Sequence, residues 1–155
     1  MRFVAHEDKS QLTNAKDAKA RVRLTIELAD SRLTRMEGLT SQKNFAQASE
    51  VLGNYLALIE NAMHFMGSMP QDKNNTRDLY RRLDIALRAQ IPRLAVMRRD
   101  TPADYSVHLK AAEEFVRNAR SQALDSFYGH TVLREGAGQN KSDAKNSSPE
   151  NSKRP

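Results

Sequence analysis

The stretch from Phe45 to Met66 constrains this chain more than any other. Phe45, Ala48, Leu52, Tyr55, Ile59, Ala62 and Met66 alternate spacings of three and four without a break, which is the heptad seam of a helix that packs on other helices. The flanks are apolar as well: Val51, Leu58 and Phe65 on one side, Leu56 and Met63 on the other. More than half the circumference therefore calls for burial, and polar residues are confined to Gln47, Glu50, Asn54, Glu60, Asn61 and His64. Such a helix packs between several others or supplies an interface.

The surrounding sequence offers the helices to do it. Ala15, Ala18, Val22, Ile26, Ala29, Leu33 and Met36 predict a helix from Asn14, its cap, to Glu37, with Gly38 as the stop. Leu79, Leu83, Ala86, Leu87, Ile91, Leu94 and Met97 mark the next one, which starts near Asn75 with Asn75 and Asp78 as a capping box and is kinked or split by Pro92 near Gln90. Thr101 as cap, Pro102 in the first turn and Asp104 facing the dipole open a further helix, whose apolar face runs from Val107 to Phe127 and which ends at Gly129. The connectors near Gly38, Asn75 and Asp100 are short, so neighbouring helices are expected to be antiparallel.

The expected fold class is all-α, an antiparallel up-down-up-down four-helix bundle, with two splayed long helical hairpins as the alternative. Its expected divisions are a flexible N-terminal arm (1–13), the helical domain (14–130) and a disordered tail (131–155). From Arg134 onward Gly, Ser, Asn, Lys and Pro leave little to offset the entropy of ordering.

A length of 155 residues suits one domain, and 39% apolar with 28% charged residues suits a soluble one. Cysteine is absent, which excludes disulfides, thiolate nucleophiles and cysteine-bearing zinc sites. The apolar run after Met1-Arg2 stops at Ala5, short of a signal peptide's hydrophobic region. No stretch approaches the roughly 18 to 20 apolar residues of a membrane span, so a cytoplasmic location is the expectation.

The net charge of +6 is unevenly placed. Residues 76–100 hold seven Arg against three Asp. Arg77, Arg81, Arg88 and Arg99 project within roughly 40° of one another on a helical wheel, opposite the apolar stripe, with Arg82 and Arg93 in a second row. Guanidinium forks pair with phosphates, so this ridge is the candidate anion or nucleic-acid site. A solvated helix face accounts for the same pattern, and no aromatic is interleaved to stack on bases.

Other constellations read as structural. Met63, Met66 and Met69 suit core filling. His6, His64, His108 and His130 form no His-Glu-x-x-His motif, and Glu60 with His64 reads as an exposed pair. There is no Gly-rich phosphate loop and no Gly-x-Ser-x-Gly elbow. No catalytic residue, metal or cofactor is therefore expected.

Leu28-Ala29-Asp30-Ser31-Arg32-Leu33, then Met36 to Leu39, then Phe45-Ala46-Gln47-Ala48 with Leu52, Tyr55 and Leu56, resembles a bacterial helical-hairpin domain family of unknown function over roughly residues 14–66. Around Asn44 to Ala48 it is also similar to a tetratricopeptide unit, although the helices are too long for that repeat and no second copy follows. The resemblance implies a helical fold and protein contacts, and it carries over no catalytic residue. The expected function is a non-enzymatic protein-interaction or scaffold module, acting on a protein partner or by self-association, with nucleic-acid or anionic-surface binding as the alternative.

Overall fold

The computed structural model describes residues 2–143, with side chains described through Gly129. It is all-helical, with five helices and no strand among the described residues: α1 (His6–Thr13), α2 (Ala18–Ser41), α3 (Phe45–Gly67), α4 (Asn74–Arg99) and α5 (Ala103–Asp143).

The apolar stripes decide how they pack. Leu33 and Met36 of α2, Leu58, Ile59 and Met66 of α3, Leu83, Leu87 and Leu94 of α4, and Val116 of α5 are almost fully buried in one core. Each such side chain contributes about 1.5–3 kcal/mol of burial. Four helices form a ring: α2 packs on α3 and α4, and α5 packs on α4 and α3. Pairs joined by short turns, α2 with α3 and α4 with α5, are the closest neighbours.

The connection at 68–73 joins two helices that run antiparallel without lying side by side. α3 and α4 make only sparse contact, across the middle of the ring. Consequently α2 and α4 lie together in the same direction: Arg93, late in α4, reaches Asp30, Thr34 and Glu37 in the second half of α2, while the first turns of both helices line one groove. α3 and α5 are likewise aligned, with Phe45 and Tyr105 stacked at their starts, ring centroids 6.0 Å apart.

Several boundaries differ from expectation for identifiable reasons. Asn14 does not open α2; Asp17 does, accepting from the Ala20 amide at 2.7 Å, and Asn14 closes α1 instead. Gly38 is not a stop. Its carbonyl accepts from Gln42 N–H, and the chain leaves the helix through Lys43, whose φ of 58° supplies the left-handed residue. The Asn75–Asp78 capping box is absent, because α4 begins at Asn74 and its N-cap residue Lys73 makes no side-chain capping bond. Thr101 caps nothing either: its hydroxyl donates back to the Met97 carbonyl at 2.6 Å, and the Pro102 carbonyl accepts the first bond of α5. α4 passes through Pro92 as one helix. α5 continues beyond Gly129 as far as Asp143, so residues 131–143 are helical where a tail was expected; residues 144–155 lie outside the described residues.

The N-terminal segment is not a free arm. Residues 6–13 form α1 on α2, with Leu12 in the core and Arg32 donating to the buried Asp8 at 2.5 Å. Arg2 stands 4.5 Å from the centre of the Phe115 ring of α5. Arg32 and Phe115 each project about 200° away from Asp30 and Glu113, which bond Arg93 and Arg98 of α4. The segment therefore crosses the molecule on the side of α3. Gly53 and Ala57, which face away from Tyr55 and its α4 partner, are buried. The apolar arc of α3 is thus enclosed within the chain.

Candidate functional site

The basic ridge of α4 divides once the neighbouring helices are in place. Arg77 lies at the edge nearest α5, and its guanidinium sits 5.3 Å from the centre of the Phe127 ring; it is half-buried and withdrawn from the ridge. Arg98 donates to the buried Glu113 of α5 at 2.9 Å. Arg93 faces α2, bonding Asp30 at 2.6 Å, Thr34 at 3.1 Å and the Glu37 carboxylate. The hydrogen bond with Glu37 is the largest cause holding the Arg93 pKa above its ordinary value. These three arginines hold helices together.

Arg81, Arg82, Arg88 and Arg99 are exposed and form no ion pair among the described residues. Of the four candidate residues, Arg81, Arg88 and Arg99 thus share one open face and Arg77 does not. By helical rise Arg81 and Arg88 are about 10 Å apart and Arg88 and Arg99 about 16 Å.

The same face holds two residues that the apolar stripe did not account for. Ile85 is 58% exposed and Val96 54%. With Pro92 they fall between the arginines, so Arg81, Ile85, Arg88, Pro92, Val96 and Arg99 occupy an arc of about 80°. Their signal in the sequence was negative: neither fits the spacing of Leu79, Leu83, Leu87, Ile91 and Leu94. Arg120 bonds Asp84 at 2.8 Å at the α5 edge of this face, removing that carboxylate from it.

The remaining candidates fall elsewhere. Met66 is fully buried, and Met63 and Met69 pack partly buried against the core. His6, His64 and His108 are exposed, and the side chain of His130 lies outside the described residues. Glu60 and His64 line a shallow depression with Asp125, and no group of three potential metal ligands occurs among the described residues. No described helix is long and apolar enough to cross a membrane.

Tyr55 and Gln90 form a buried polar pair on the α3–α4 diagonal, the phenol donating to Oε1 at 2.8 Å. Burial pushes the Tyr55 pKa up, partly offset by the charge of Arg93. The pair is enclosed by packed helices, so it fixes α3 against α4 and offers nothing to a ligand. Comparison with known proteins finds no matching family model, curated protein or solved structure.

Proposed function

We propose that this chain is a non-enzymatic helical interaction module that presents the outer face of α4 to an acidic protein partner. The observation that carries the reading is the exposure of Ile85 and Val96 between Arg81, Arg88 and Arg99. Arginine beside apolar side chains is the composition of interface anchors, since the guanidinium gives directed bonds and the apolar groups give burial. The scaffold behind it is read as a four-helix bundle built of two antiparallel hairpins. The resemblance of residues 14–66 to a helical-hairpin family agrees with that reading.

Nucleic-acid or anionic-surface binding uses the same arginines and is the second reading. Withdrawal of Arg77 shortens its row, and the face offers no aromatic for stacking.

A photo-crosslinking residue at Ile85, with Glu27 on α2 as the control position, tests the proposal in the native host. The expected result is a discrete protein adduct from position 85, lost on combining Arg81→Glu with Arg88→Glu. Adducts to nucleic acid alone transfer the function to the second reading, and labelling no stronger than at the control rejects both.

A further inference from the structure

The open face of α4 carries a pattern of its own. Ala89 is exposed there along with Ile85, Pro92 and Val96, and the four residues follow one another at spacings of four, three and four. They lie within an arc of about 60° and span about 16 Å of helix. Such spacing is the seam with which one helix receives another in a coiled coil. α4 therefore bears two seams, one filled by the core of this chain and one, of smaller side chains, turned outward.

Arginines frame the outer seam. With its residues counted as a and d of a heptad, Arg82 and Arg99 take the next seam positions beyond Ile85 and Val96, while Arg81 and Arg88 fall at g, a position whose charge selects the partner helix. All four are exposed. On the other flank Arg93 is matched by Asp30 and Glu37 of α2, and Asp78 and Asp100 stand beyond Arg82 and Arg99. The unmatched charge along the seam is thus positive. A second copy is a poor occupant, because pairing this face with itself in either direction sets arginine against arginine.

Beside Val96 the seam opens onto a hollow of about 380 Å³ between the ends of α2 and α4, where Phe45, Val96 and Met97 form an apolar wall and Glu37, Lys43 and Asp100 are among the polar lining. It has room for one large side chain, the kind of buried anchor on which helix-in-groove complexes depend.

We propose that the occupant of this face is an acidic amphipathic α-helix of a protein partner. Its apolar stripe lies on Ile85, Ala89, Pro92 and Val96, its carboxylates meet Arg81 and Arg88, and one large apolar side chain fills the hollow beside Val96. This rests on the interaction reading above and adds to it the conformation and register of what binds.

The test uses the full chain and a labelled synthetic peptide of about three heptads, Leu at a and d and Glu at e and g, followed by circular dichroism and fluorescence anisotropy. Repulsion between its glutamates keeps the free peptide largely unfolded; on binding it is expected to gain helicity and to saturate at one peptide per chain. A peptide of the same composition in scrambled order, and one with Lys in place of Glu, are each expected to bind at least tenfold more weakly. Ala89→Glu and, separately, Arg81→Gln with Arg88→Gln are expected to weaken binding at least fivefold, and Val107→Ser, at an exposed position on α5, to leave it unchanged. No saturable binding, binding without a gain in helicity, equal binding of the scrambled peptide, full binding by Ala89→Glu, or a dimer of the chain that Ala89→Glu dissolves overturns the helical occupant. Any of these results alongside a protein adduct at position 85 in the host removes the helix and leaves the interaction reading standing.

Discussion

Tyr55 shows how one side chain ties sequence to architecture. Its seam position in the heptad pattern predicted burial, yet its phenol requires a partner, and Gln90 supplies it from the helix diagonally across. Replacing Tyr55 with Phe leaves the Gln90 carbonyl without that donor and is expected to cost about 1–2 kcal/mol at neutral pH by denaturant titration. The pH dependence is equally specific. Because burial raises the Tyr55 pKa in the folded state, the folded protein keeps its proton where the unfolded chain, titrating near 10, loses it. Stability from this group is complete below pH 10 and falls as pH rises above it, by about 1.4 kcal/mol per unit. Wild type is therefore expected to lose stability more steeply than Tyr55→Phe between about pH 10 and 11.5; parallel curves would refute the assignment. Arg77 teaches the converse. Its place on the helical wheel was correct, but its surroundings depended on Phe127, a residue fifty positions away on α5, and spacing within one helix carries no information about that.

Among the helices, what the sequence disclosed follows the strength of each stripe. Leu79, Leu83, Leu87, Leu94 and Met97 are buried as their period required. α1 was missed because His6–Thr13 holds a single large apolar residue, Leu12, and owes its place to that side chain and to Asp8 meeting Arg32. Glycine misled in a different way. Gly38 was read as a terminator, whereas it sits in the last turns of α2 with open space where a Cβ would be. Gly38→Ala is accordingly expected to stabilise the protein by about 1 kcal/mol, measured as a raised thermal midpoint, because alanine removes backbone entropy from the unfolded chain without a clash. Lys43 bears the strain that glycine was expected to relieve. Lys43→Gly is expected to be neutral or stabilising, by up to about 1 kcal/mol in the same assay, since only glycine adopts the left-handed conformation without steric cost. Loss of stability in either variant would contradict these backbone assignments.

For the whole molecule, the enclosure of α3 is the main outcome. The apolar arc that suggested an external partner is used internally, covered by α2, α4 and α5 and crossed by the N-terminal segment. Asp8→Ala leaves Arg32, itself largely buried, without its partner. A loss of about 2 kcal/mol is expected, with faster amide exchange near Gly53 and Ala57 than elsewhere in α3; uniform exchange would show that the segment does not shield them. The mixed face of α4 stays exposed, and the period of the buried stripe did not mark it because Ile85 and Val96 are out of phase with the core.

The diagonal crossing at residues 68–73 has a kinetic consequence. Since α2 pairs most closely with α3, and α4 with α5, each hairpin can close a short loop at small entropic cost before the halves meet. The Tyr55–Gln90 bond spans the two halves and belongs to the later docking step. Weakening it should quicken unfolding while leaving refolding almost unchanged, so the two arms of a chevron would separate assembly of the hairpins from their union.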